Sequence, residues 1–277
     1  MKENLFLTIL EDAKTKGIAV GAVNIFNYLT IDAAISAASK AGKNIIIQTS
    51  AGTVKHYGVK KMLGMVHAIR DCSEVKVALH LDHCREKALG KECADAGWDG
   101  IMMDFSHLSL EENIHNTKEM VEYAHLRGVA VEGEIGVISG VEEDIISETA
   151  VHAGYQDTVK FINLTGVDAI APSIGTAHGV YREAPELNFE LVEQLGKLET
   201  PVVIHGGSGL SADTFSKLIK LGGRKVNIST VVKNTYLNKL KELVLSREFV
   251  TPLEFDTAVK RAVEDEIKKH LIVFGNK

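Results

Sequence analysis

"VKVALHLDHCREKALGKECADAGWDGIMMD", residues 75–104, decides the fold. It opens on an apolar run at 75–82, continues through a segment of helical period at 84–97 that closes on Gly97, and enters a second apolar run at 100–104. Glycine just past the last helical turn is a stop signal, because a residue without a Cβ adopts the left-handed cap at little cost. Strands that are apolar throughout, rather than alternating, belong to a parallel sheet covered by helices. The stretch therefore predicts a β–α–β unit.

The same grammar extends in both directions. Strand-like runs recur at 18–26 ("IAVGAVNIF"), 44–50 ("NIIIQTS"), 129–136 ("VAVEGEIG"), 168–173 ("DAIAPS"), 201–206 ("PVVIHG") and 225–229 ("KVNIS"), making eight in all. Helix-period segments at 30–42, 109–128 and 188–199 separate several of them. Eight such units in 277 residues predict an α/β fold of the (β/α)8 TIM-barrel type, with a doubly wound open sheet as the alternative. No Pro/Ser-rich linker or low-complexity tract divides the chain, so residues 1–277 are expected to form a single domain. A last helix pair, from about 235 to 270, is expected to finish the barrel and to reach toward a partner subunit. The two longest connections, 137–154 and 174–187, would both rise from the carboxyl face, where long loops are often functional.

Composition excludes several classes of function. With 45% apolar and 25% charged residues the chain can bury a large core. A formal charge of −6, with no basic stripe, argues against binding nucleic acid or an acidic membrane. The three cysteines, Cys72, Cys84 and Cys93, have no CxxC spacing and suit a reducing compartment. The apolar run from Leu5 to Leu10 is too short for a secretory signal or a membrane span, and a cytoplasmic location is expected.

Polar residues stand at every strand end: Asn24; Gln48 and Ser50; Asp82 and His83; Asp104 and Ser106; Glu134; His178; His205; Asn227 and Ser229. A barrel gathers those ends into one crevice, so residues remote in sequence would share a site. His83, His178 and His205 match a three-nitrogen divalent centre with an open position, as in catalytic zinc, although imidazole also suits cobalt or iron. Against this stands the use of a strand-end histidine as a capping or supporting group. His80 is expected to support a ligand rather than bind. His56, His67, His115, His125, His152 and His270 are expected to be solvated, and His107 stays open. Asp82 either passes protons beside the metal or merely orients a neighbouring imidazole. "HGGSGL" (205–210) followed by "VNIST" (226–230) offers backbone N–H groups and hydroxyls at the seventh and eighth strands, the usual phosphate position in such barrels.

Collected in order, "HLDHC" (80–84), "MMDFSH" (102–107), "VEGEIGVISGVEED" (131–144), "IGTAHGVY" (174–181), "HGGSGL" and "KVNIST" (225–230) resemble the signatures of the class II, metal-dependent ketose-bisphosphate aldolases, over essentially the whole chain. The resemblance implies that His83, His178 and His205 bind a catalytic zinc and that Asp82 is the acid/base at the C4 hydroxyl. It implies secondary metal positions at Glu134 and Asp104, and a loop acid at Glu142, with Glu143 adjacent. Gly179, Gly206, Gly207, Ser208, Asn227 and Ser229 or Thr230 would form a phosphate clamp, together with a monovalent cation, Na+ or K+. Asn24 and Ser50 would line the pocket. Phe105 departs from the Gly of many relatives, and Ser229 from their Ala or Asp.

The implied reaction is reversible cleavage of fructose or tagatose 1,6-bisphosphate by a homodimer or homotetramer. A related phosphorylated keto sugar or keto acid, a metal-dependent epimerase and an inactive partner subunit are the alternatives.

Overall fold

The computed structural model describes residues 3–142, 145–147, 151–179, 185–246 and 251–275. Eight strands close a barrel in which every pair is parallel: β1 (Val20–Asn24), β2 (Ile45–Ser50), β3 (Val77–Cys84), β4 (Gly100–Met103), β5 (Ala130–Ile135), β8 (Ala169–Pro172), β10 (Val202–Ile204) and β11 (Gly223–Ile228). The expected (β/α)8 barrel is the observed fold, and the open-sheet alternative falls with the closure of β1 on β11.

Helices α2 (Tyr28–Ala41), α3 (Ala51–Tyr57), α4 (Val59–Arg70), α5 (Lys87–Asp95), α6 (Leu110–His125), α7 (Tyr155–Thr165), α8 (Phe189–Leu195) and α9 (Ala212–Lys220) connect or follow the strands. Their ends carry the sequence's own punctuation. Asn27 and Thr30 form a reciprocal capping box at the start of α2, and Gly42 ends it at φ 62°. The chain finishes with α10 (Thr230–Ser246) and α11 (Pro252–Phe274), the pair expected at 235–270; α11 packs along α2.

Two features position the site. The first is α1 (Leu5–Lys16), capped by Asn4 and by Gly17 at φ 65°. Phe6, Ile9 and Leu10 of α1 are buried with Ala22, Ile46, Ala78, Ala130, Ala169, Ala171 and Val203 of the strands. Alanines thus face the space that the helix fills, and burying Phe6 alone stabilises the fold by roughly 1.5–3 kcal/mol. At Gly100 a Cβ would sit 2.9 Å from the His80 ring and 3.1 Å from that of Phe6, so only glycine leaves room for their stack.

The second is a three-stranded sheet built from the two long connections: β6 (Ser139–Glu142), β7 (Ile145–Ser147) and β9 (Ala177–His178). Pairing of Gly140 with His178 lays the two connections side by side.

Candidate active site

β3 carries Asp82 and His83 to the carboxyl end of the barrel. Consecutive strand residues ordinarily face opposite sides of a sheet. Here His83 adopts φ 43°, the one left-handed non-glycine conformation among the described residues, and the β3–β4 register slips between Leu81 and Cys84. The irregularity turns both side chains toward the same interior, and strain of this kind collects at functional sites.

His83 Nε2 lies 2.8 Å from Nδ1 of His205, which directly follows β10, with the two rings at 89°. Ligand atoms of Asp82, His83 and His205 fall within 4.8 Å of one another, as do those of His83, Asp104 and Glu134. All five side chains are buried. Burial, outweighing the Glu132 carboxylate, pushes His205 down to about 4, so the ring is neutral near pH 7, the state in which imidazole ligates a metal. Two imidazoles aimed at one point, with carboxylates at its edge, fit a divalent cation of the zinc type.

The two acids on the far side of His83 differ. Burial, reinforced by the Asp104 carboxylate, raises Glu134 well above the usual range. Burial also opposes ionisation of Asp104, but His83, the Ser106 hydroxyl at 2.6 Å and Arg85 at 3.2 Å overcome it and hold Asp104 below that range. Glu134 Oε2 has no hydrogen-bond partner among the described residues.

Asp82 is held from three sides. Asn24 Nδ2 donates to its Oδ2 at 2.8 Å, Gln48 Nε2 to the same oxygen at 3.1 Å, and Asn227 Nδ2 to its Oδ1 at 3.3 Å. Gln48 also donates to Asn24 Oδ1 at 2.7 Å, which fixes the asparagine amide with its nitrogen toward the acid.

Beside these groups, Gly179, Gly206, Gly207, Ser208, Asn227, Ser229 and Thr230 line one small recess at the ends of β10 and β11. Gly206 has φ 66°, and a Cβ there would come within 2.6 Å of the Ala177 carbonyl oxygen, so a side chain would push β9 off the recess. Ser208 Oγ accepts from the Ser229 backbone at 3.3 Å, while Ser229 Oγ is buried without a hydrogen-bond partner among the described residues. A buried hydroxyl with no partner, on a glycine-lined wall, is what an incoming anion would satisfy.

A profile of the family described as fructose-bisphosphate aldolase class-II matches residues 4–277. The chain belongs to that family. It is accordingly a class II aldolase, a lyase of carbohydrate metabolism. The fructose-bisphosphate aldolase of Staphylococcus aureus is 35% identical over 276 residues, spanning 94% of each chain. Among solved structures, the YdjI aldolase from Escherichia coli K12 superposes with a TM-score of 0.86 at 29% identity, covering 98% of this chain and 96% of its own. The fructose-bisphosphate aldolase of Campylobacter jejuni does so with a TM-score of 0.79 at 25% identity, covering 97% and 92%.

In this aldolase the fold brings together five of the residues singled out from sequence as ligands or acids, Asp82, His83, Asp104, Glu134 and His205, and seven of those singled out for phosphate. The backbone of His178 lies in β9 and that of Glu142 in β6, but their side chains fall outside the described residues, as does Glu143 altogether. Ser50 caps α3, accepting from the Thr53 backbone at 3.2 Å. Asn24 donates to Asp82. His80 lies inside the barrel, stacked on Phe6 with centroids 4.8 Å apart, and His107 is exposed. Phe105 is buried in the core, with the Lys87 ammonium above its ring.

Strand ends alone pass over Glu132 and Lys225. Both are fully buried, one turn of the pleat below Glu134 and Asn227, and Glu132 Oε1 lies 2.9 Å from His205 Nε2. A charged residue two positions before a polar tip, in an otherwise apolar parallel strand, is the signal that would have found them.

No helix among the described residues is long and apolar enough to cross a membrane.

Proposed function

We propose that this chain reversibly cleaves a ketose 1,6-bisphosphate, fructose or tagatose 1,6-bisphosphate, to dihydroxyacetone phosphate and glyceraldehyde 3-phosphate. The observation that supports the reading is the approach of Asp82, His83 and His205 within 4.8 Å of one another beside the glycine-lined recess.

In the cleavage direction Asp82 takes the proton of the C4 hydroxyl, steadied by the amides of Asn24, Gln48 and Asn227. The C3–C4 bond breaks, C4 departs as the aldehyde, and the electron pair stays on the three-carbon half as an enediolate. His83, His205 and His178, with Asp104 and Glu134 as secondary positions, would hold a zinc ion, which when bound would supply Lewis-acid stabilisation of negative charge. Glu142 on the β6 connection returns a proton to carbon. The recess of Gly179, Gly206, Gly207, Ser208, Asn227, Ser229 and Thr230 holds the phosphate of the three-carbon half, accompanied by Na+ or K+.

Zinc-loaded protein is therefore expected to release triose phosphate from one or both bisphosphates, and a chelator is expected to abolish the release. Turnover that survives complete metal removal contradicts the reading, and intact isomerised sugar in place of two fragments would point to an epimerase.

Cytoplasmic residence and assembly as a homodimer or homotetramer belong to the same reading. Leu237, Val244 and Leu245 of α10 and Leu253 of α11 are all more than half exposed, an apolar surface suited to a second copy. Sedimentation of the purified protein at a monomer's mass would contradict the assembly.

A further inference from the structure

The expected ligand His205 leans on a buried ion pair. Its Nε2 lies 2.9 Å from Glu132 Oε1, and Glu132 Oε2 lies 2.7 Å from Lys225 Nζ. Glu132, Lys225 and His205 are each at most 1% exposed, and the side chains meet inside the barrel, beneath the point where His205 Nδ1 faces His83. We infer that Glu132, held by Lys225, is the positioning residue that fixes the tautomer and the angle of the His205 ring. The inference rests on the metal-binding reading given above.

The argument is one of donors and acceptors. An ionised carboxylate can only accept, so Glu132 Oε1 requires the proton of His205 to sit on Nε2. That leaves the Nδ1 lone pair directed at His83 and the metal position, which is the tautomer a ligand needs. The Asn227 amide nitrogen, 3.3 Å from the same Nε2, offers only hydrogens and cannot serve as the acceptor.

Lys225 completes the arrangement. A lone carboxylate in this interior would carry a large desolvation cost, and the ammonium on the opposite oxygen offsets it while leaving Oε1 for the imidazole. The pair comes from β5 and β11, which are not neighbours in the barrel, so the contact crosses the interior and ties His205 to two separate strands.

The test uses the metal-free full chain and zinc itself as the probe, in competition with a chromophoric chelator. Glu132→Gln alone strands Lys225 without a counter-charge, so the informative variant is E132M/K225M, since replacing a buried pair by apolar side chains of similar volume is often neutral for stability. Its apo form is expected to melt close to the parent while its zinc affinity falls about 10–100-fold. E132Q/K225M, which restores an acceptor oxygen, is expected to recover part of that loss.

Parent-like zinc affinity in E132M/K225M would overturn the inference. Failure of the parent chain to bind zinc would instead overturn the metal reading, so the two failures are distinguishable. Should the double variant not fold, nitrogen-15 NMR of histidine-labelled parent protein decides: a proton on His205 Nε2 is expected, and one on Nδ1 alone would overturn the assignment.

Discussion

Asp82→Ala is expected to lower turnover about 10²–10⁴-fold, the usual cost of losing a positioned proton-transfer group, while zinc stoichiometry stays at the parent value. The size of the effect follows from the surroundings of the carboxylate. Three amide nitrogens converge on it from β1, β2 and β11, so its oxygens are fixed in place before substrate arrives. Removing the acid leaves those amides with nothing that can accept a proton, and water in the gap would lack their fixed geometry. The experiment is kcat and KM on the bisphosphate that proves active, with metal content measured on the same samples. Unchanged turnover removes Asp82 from the chemistry. Loss of zinc together with turnover makes Asp82 a ligand, which its place within 4.8 Å of the His83 and His205 donors would accommodate.

The barrel was legible because its strands are buried on both sides. Runs such as 44–50 and 201–206 have no polar alternation to blur the assignment, and the observed strands Ile45–Ser50 and Val202–Ile204 fall inside them. Helix α1 was not legible as a helix. Its apolar residues at 5–10 invite a targeting question, whereas the physical clue lies at its ends, in the Asn4 cap and Gly17. What α1 packs against could not be read at all, since it depends on alanines from β1, β3, β5 and β8 sharing one interior layer.

The site was legible where residues occupy strand ends and obscure where the backbone departs from the regular pleat. Strict alternation puts Asp82 and His83 on opposite faces, and only the φ of 43° at His83 reconciles them. Ser50 has a use that the strand pattern does not announce: the next element begins one residue later, and the Ser50 hydroxyl caps it by accepting from the Thr53 backbone. Glu132 and Lys225 escaped because each looks like a charge misplaced in a strand. The pairing that explains them spans 93 residues and two non-adjacent strands.

The backbone at His83 also shapes the second large effect. His83→Asn is expected to weaken zinc by well over the roughly 10–100-fold typical of losing an outer partner, because it removes a coordinating atom rather than its support. Activity should fall with it. Asparagine is the informative choice because it tolerates the left-handed conformation that His83 adopts at φ 43°. His83→Ala removes the same imidazole but keeps the full cost of a left-handed L-residue. The metal-free Asn variant should thus be the more stable of the two by about 1 kcal/mol in urea unfolding. Comparing the pair separates ligand loss from backbone strain: both variants lose zinc, and only one loses stability. If His83→Asn instead binds zinc as the parent does, the imidazole is not a ligand, and its approach to His205 at 2.8 Å would be a hydrogen bond between two buried rings. The conformation at residue 83 would then be left without the metal that gives it a purpose.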